Sequence, residues 1–395
     1  MNRRALAVAA FVGVGIALWF VPMARSAADF PIFYLIFLYQ MFFWIGQATS
    51  WNILTGYTGY FSFGQAAFFG VGVYSSAILV ARYDMNFFLS IPLAGIVAML
   101  LALLMGFVAF RLRALRGEVF ALLTLAVTFV LAAVARLSSF IDGGQGRAIT
   151  LPEYPEFLGE YGDFIFRLGL VMALIAVTTA HGIQHSKFGR GLFAIRDDED
   201  VAEALGAPTF RYKMIVLGLS GLLAGAGGAI HSLQISYVTI EGTFSFAIPL
   251  FVILMSTLGG RQHWLGPVIG AAVVFTLQDR LAGGGYGDLS QILLGTVLIV
   301  AILFMPEGLY LRIRSRLRVT LLVFGLALVV QYAFGLGGVV ISKMAWAMLA
   351  VFPVLVVPTR WLSPLPWLGA TAPSAEGLPP RPEPVEPVKE KEVRT

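Results

Sequence analysis

Residues 87–110 read FFLSIPLAGIVAMLLALLMGFVAF, 24 positions without a charged side chain, and Arg111, Arg113 and Arg116 follow almost at once. At about 1.5 Å per residue such a helix is about 36 Å long, more than the ~30 Å hydrocarbon core of a bilayer. A run of this kind, closed by a basic collar, is a membrane span, and comparable runs recur along the chain. The whole composition agrees. Residues of the AVILMFWYC set make up 58% of the 395 positions, and charged residues 12%, about half the ~25% usual in soluble domains. The fold class expected is an all-α, polytopic transmembrane bundle of about 10–12 spans with discontinuous, Gly-rich helices.

Working outward, apolar stretches predict spans near 5–22, 30–48, 61–81, 87–110, 117–135, 164–181, 214–232, 246–259, 264–281, 290–306, 319–335 and 343–358. The stretch at 246–259 is short for a crossing, which predicts a bent or re-entrant segment covered by protein. Charge then sets the orientation. With the N-terminus inside, 20 of the 27 Lys and Arg residues fall in segments on the cytoplasmic side, whereas the loop 137–163 carries Asp142, Glu153, Glu156, Glu160 and Asp163 against Arg147 alone. The positive-inside rule therefore places both termini in the cytoplasm. It also accounts for the net charge of +5 without nucleic acid. The expected organisation is an N-terminal anchor span at 1–29, a transmembrane core at 30–318, two additional spans at 319–358 and a Pro-, Glu- and Lys-rich disordered cytoplasmic tail at 359–395. The first span also has the basic start and small residues of a signal peptide, but the spans behind it favour a retained anchor.

Catalytic patterns are missing. Without Cys there are no disulfides or thiolate metal sites. No G-x-x-x-x-G-K-[ST] loop is present, so ATP use requires another chain, and no cofactor or metal is expected. His181, His185, His231 and His263 form no H-E-x-x-H and are placed at span ends or loops. Gly59–Gly64 is spaced G-x-x-S-x-G, one residue off a nucleophile elbow. Tyr83-Asp84 and Gly285-Tyr286-Gly287-Asp288 resemble intramembrane aspartyl protease motifs, yet both aspartates fall in predicted outer loops. Mid-span ionisable residues, the mark of a proton relay, are also lacking. Gly residues are frequent instead: Gly56, Gly59, Gly64, Gly70 and Gly72; Gly218, Gly221, Gly225, Gly227 and Gly228; Gly259, Gly260, Gly266 and Gly270. Such residues let helix backbones approach closely and let broken helices line a polar path. They indicate a transporter over a membrane enzyme, and leave a sodium-coupled carrier acting without an ATPase open as the alternative.

The loop His181 to Lys213 is the largest expected on the cytoplasmic side. Asp197 is expected to cap a helix from Asp198 through Glu199, Ala202 and Ala204 to Leu205, with Gly206 at its stop. On its pattern alone this helix fits either a solvated connector or a knob that docks in a partner's groove.

The runs Ser186-Lys187-Phe188-Gly189-Arg190-Gly191, Ala194-Ile195-Arg196-Asp197-Asp198-Glu199, Ala202-Glu203-Ala204-Leu205-Gly206 and Arg211-Tyr212-Lys213 resemble the coupling-helix region of the LivM/LivH-type permeases of branched-chain amino-acid ABC importers. The resemblance continues in Asn52–Gly59 with Ser62, Gly64 and Gln65; in Arg116-Gly117-Glu118 with Thr124; in Gly259-Gly260 with Gly266 and Gly270; and in Pro306-Glu307-Gly308-Leu309. Val119 departs from the family's usual aromatic residue, and Asp142–Gly146 follows its outer-loop pattern in part. The resemblance implies a non-catalytic permease of a bacterial inner membrane. Its implied partners are a homologous second permease, two cytoplasmic ATP-binding subunits and a periplasmic or surface binding protein, besides membrane lipid. The implied substrates are branched-chain amino acids, or urea, amides or aromatic acids. Coupling to the ATPase falls to Arg190, Arg196, Asp197, Asp198, Glu199, Ala202, Glu203, Ala204 and Gly206. The translocation path is expected along Asn52, Gly56, Gly59, Ser62, Gln65 and Thr124, whose hydroxyl, amide and backbone groups offer a zwitterion no trapping charge.

Overall fold

The computed structural model describes residues 13–23, 31–111, 117–141, 143–149, 154, 156–283, 308–333, 343 and 346–351, with single positions between 292 and 303. A short apolar helix, α1 (Gly13–Met23), comes first. It is followed by α2 (Ile32–Thr58), α3 (Gln65–Tyr83), α4 (Phe87–Arg111), α5 (Glu118–Leu137) and α6 (Tyr161–His185). Two short helices, α7 (Lys187–Asp197) and α8 (Glu199–Ala204), lead into α9 (Thr209–Ile235). The one-turn α10 (Ile240–Thr243), α11 (Ala247–Gly259), α12 (Leu265–Gly283), α13 (Leu309–Ser315) and α14 (Leu317–Ala333) follow. Among the described residues seven stretches are long and apolar enough to cross a membrane: α2 to α6, α9, and α10 with α11. The protein is an all-α polytopic bundle.

The run at 87–110 forms α4, and the short span predicted at 246–259 forms α11, an unbroken helix; the break lies ahead of it, at Phe244, Ser245 and Phe246 between α10 and α11. Three predicted spans were too short by more than a turn, among them the one drawn at 164–181, which runs from Tyr161 to His185. The span drawn at 30–48 runs on to Thr58, because Ser50, Asn52, Thr55 and Thr58 are buried against neighbouring helices and bond within the protein. The span drawn at 214–232 runs from Thr209 to Ile235 for the same reason. His231 lies about one turn before the end of α9, partly buried, with Nδ1 3.0 Å from the Tyr39 hydroxyl and its ring 4.0 Å from that of Phe43. The span at 61–81 begins later, at Gln65, because 59–64 is irregular. Asp84 is exposed at the end of α3, away from any low-dielectric setting. The predicted span at 290–306, the Gly285–Asp288 motif, most of 343–358 and the tail from 359 lie outside the described residues, as do 1–12 and 24–30.

The centre of the bundle is α9, packed against α4, α3 and α2, with α6 beside α2 and the α11–α12 pair on its other flank. Small residues set these distances. A Cβ on Gly72 would lie 2.1 Å from the Gly225 carbonyl oxygen, and one on Gly270 would lie 1.7 Å from that of Met255. Helices this close stay together by packing and weak backbone contacts, since lipid gives no hydrophobic drive between spans. At one end of α9, β1 (Arg147–Ala148) pairs antiparallel with β2 (Tyr237–Val238), Arg147 opposite Val238. α7 and α8 sit at the other end.

Candidate functional site

Ser186 starts α7, its hydroxyl oxygen accepting the Gly189 amide at 2.9 Å. Gly189, Leu192 and Ile195 form the buried stripe of that helix, at the spacing of one face. Asp197 lies in its last turn. The expected cap at Asp197 is thus corrected by one residue: Asp198, extended at φ −161°, caps α8 by accepting the amides of Asp200 and Val201 at 3.0 Å. The reason is that the 187–197 pattern is amphipathic enough to be a helix of its own. Gly206 ends α8 at φ +87°, a conformation that favours glycine, while Ala207 N–H donates to the Ala202 carbonyl at 3.0 Å.

The helix pair is fastened to the bundle at two places. Arg196 Nη1 donates to the Gly56 carbonyl at 3.5 Å, and its side chain passes over Gly59, where a Cβ would meet Arg196 Cγ at 2.9 Å. Glu199, from α8, receives the Lys213 ammonium at 2.6 Å and the Tyr60 hydroxyl on its second oxygen. Lys213 Nζ also donates to the Tyr60 hydroxyl oxygen at 3.0 Å and lies 4.5 Å and 4.9 Å from the Tyr60 and Phe110 ring centres. Phe120 closes this cage, 5.5 Å from Tyr60 and 5.2 Å from Phe110.

The named coupling residues therefore divide. Arg190, Asp197, Asp198, Glu203, Ala204 and Gly206 are exposed. Glu199 and Ala202 face inward, Ala202 fully so, and neither presents itself to a partner. The large exposed apolar side chains here are Val201 on α8 and Leu205 just past its end, the latter 83% exposed. Neither of them, nor Lys213, Tyr60, Phe110 or Phe120, is among the coupling or path residues expected from the sequence. An isolated lysine five residues into a 27-residue apolar helix was the available signal for Lys213.

The path residues cluster nearby. Asn52 Oδ1 accepts the Ser256 hydroxyl at 2.8 Å, and Asn52 Nδ2 has no partner among the described residues. Gln65 Nε2 donates to Gln47 Oε1 at 2.8 Å and to Ser50 Oγ at 2.7 Å. Ser62 Oγ accepts the Gly64 amide at 3.1 Å, while Thr124 Oγ1 accepts the Phe63 amide at 2.9 Å and donates to the Ala121 carbonyl at 2.8 Å. All four side chains are buried: Ser62 and Thr124 hold the 59–64 segment, while Asn52 ties α2 to α11 and Gln65 ties α3 to α2. Gly56 stands against the Arg261 carbonyl, and Gly308, at φ +82°, against Gly260. The separated motifs of 52–65, 259–270 and 308–309 thus meet at the end of the bundle where α7 and α8 sit.

The structure is that of an all-α polytopic membrane protein, with a fastened pair of short helices at one end and closely packed Gly-rich spans. Comparison with known proteins fixes the kind. The family model described as "branched-chain amino acid transport system / permease component" matches residues 33–302. The chain belongs to this family. It is 23% identical over 292 residues to the high-affinity branched-chain amino acid transport system permease protein LivM of Salmonella typhimurium, covering 68% of this chain and 67% of that one. It is 22% identical over 261 residues to a probable branched-chain amino acid transport permease protein LivH of Methanocaldococcus jannaschii, covering 62% and 82%. A ribose import permease protein of Bacillus subtilis matches a smaller part, 27% identical over 126 residues, or 31% and 39% of the two chains. No solved structure matches. The protein is a multi-pass, non-enzymatic permease of the ABC-importer kind, which sets aside the ion-coupled carrier acting alone.

Proposed function

We propose that this permease carries branched-chain amino acids, or a related small polar solute, inward through the membrane as one of two homologous permeases driven by two cytoplasmic ATP-binding subunits. A binding protein on the outer side delivers the solute. The observation that carries the coupling part is α8: a capped helix at one end of the bundle, with Val201 and Leu205 exposed beside Glu203 and fastened beneath by Glu199. Exposed apolar residues with a charged rim suit a docking knob, the apolar residues giving affinity and the charges register. The α7–α8 end and both termini are cytoplasmic in this proposal, with 1–29 an anchor, 319–358 peripheral spans and 359–395 a tail. The route runs beside Asn52, Gly56, Gly59, Ser62, Gln65 and Thr124, closed in the conformation described. Coverage of two thirds of LivM, against about two fifths of the ribose permease, supports an amino acid over a sugar. Uptake of labelled leucine after ATP depletion, with ion gradients held constant, tests the proposal. Loss of uptake is expected, and persistence would overturn it.

A further inference from the structure

Lys213, Glu199 and Tyr60 close a ring of three hydrogen bonds, and each comes from a different element: α9, α8 and the irregular 59–64 segment between α2 and α3. The ring is shut off from water. The Lys213 and Glu199 side chains are 4% and 10% exposed, and Phe110 and Phe120 wall it from α4 and α5. Buried, fully partnered networks of this kind are stiff, because any partial opening strands a charge. Beyond Tyr60 the same segment is bonded onward. Trp51 Nε1 donates to the Ser62 carbonyl at 2.7 Å, and the Phe63 amide donates to Thr124 on α5.

We propose that this ring is the rigid joint through which movement of α8 reaches the 59–64 segment and, through it, α5. Tyr60 is the positioning residue. It rests on the proposed function, in which α8 is driven by an ATP-binding subunit, and it names how that drive leaves the cytoplasmic helix. Energetic coupling needs a contiguous element whose two arrangements both sites bias. A joint that ties α8 to the segment through buried, charge-assisted hydrogen bonds makes them move as one.

Tyr60→Phe tests the joint with little damage, since the ring contacts to Phe110 and Phe120 survive and only the hydroxyl is lost. In proteoliposomes holding the full complex, leucine taken up per ATP hydrolysed is expected to fall by about tenfold, within the usual span of coupling energies, while the ATP-binding subunit co-purifies as with the wild type. Unchanged uptake per ATP overturns the proposal. A second measurement serves if that variant fails to assemble. Spin labels on Phe61→Cys and Leu205→Cys, in a chain with no other Cys, are expected to give the same narrow distance with and without nucleotide. A distance that shifts between the two states overturns the joint. Absence of any ATP-driven uptake by the wild type overturns the underlying function, and the joint with it.

Discussion

Lys213 Nζ sits 2.6 Å from Glu199 Oε1 with both side chains almost fully buried, so an ion pair closed off from water fastens the short helix α8 to the first turns of the central span α9. Removing one partner leaves the other charge stranded, at a cost of about 3–5 kcal/mol. Lys213→Met is expected to lower the thermal unfolding temperature of the detergent-purified chain clearly. Glu199→Gln, which still accepts a hydrogen bond, is expected to lower it less. Differential scanning fluorimetry of the two variants beside the wild type checks this order.

Val201 and Leu205 are exposed, so their substitution leaves the fold alone and reports on docking. Leu205→Asp is expected to weaken binding of the ATP-binding subunit by about tenfold or more, as loss of a central apolar contact of about 1.4 kcal/mol would. Titrating the purified subunit against the permease in nanodiscs, with the unfolding temperature as control, measures it.

Gly206 and Ala202 separate two kinds of damage. A Cβ on Gly206 meets nothing within 4 Å, so Gly206→Val costs backbone strain alone, about 1–3 kcal/mol. It is expected to tilt the end of α8 and abolish transport-coupled ATP hydrolysis in a chain that still inserts. Ala202 is buried on the inner face of α8, and Ala202→Trp is expected to unseat the helix by overpacking, with about 1–3 kcal/mol or more lost. Limited proteolysis at Arg190 and Arg196 should rise for Ala202→Trp and stay near wild type for Gly206→Val.

His263, between α11 and α12, is held neutral. Burial pushes its imidazole down to about 4, helped by the nearby His185, Arg314 and His181, while its ring stacks 3.8 Å from that of Tyr310. An unfolded histidine titrates near 6.5, so between about 6.5 and 4 the unfolded chain binds more protons than the folded one. The contribution of His263 is therefore complete above that window and declines as pH falls through it. The unfolding temperature of the wild type is expected to fall more between pH 7.5 and 5 than that of His263→Phe, which keeps the stack. Equal slopes would mean that His263 carries no such linkage.

Much of the fold was legible in the apolar runs. The stretch 87–110 lacks charge, and the helix described there runs from Phe87 to Arg111. What misled was polarity buried in protein instead of exposed to water. Asn52, Thr55 and Thr58 fall outside the span drawn at 30–48 yet belong to α2, where Ser256, the Tyr60 carbonyl and the Leu54 carbonyl bond their side-chain oxygens. The coupling segment was legible as a capped helix with Gly206 at its stop, since these depend on neighbouring residues. Which of its faces is buried was not. That Glu199 turns inward depends on Lys213 and on Tyr60, 139 positions away, and no local pattern announces such a partner.

The most direct test of α8 as the docking knob uses the absence of Cys in the chain. Leu205→Cys, in the full complex, is treated with a short bifunctional cross-linker against single Cys residues in the groove of the ATP-binding subunit, with and without ATP. A cross-link to that subunit whose yield changes with nucleotide is the expected result. Failure to cross-link Leu205 in any nucleotide state, in a complex that still hydrolyses ATP and takes up leucine, would contradict it.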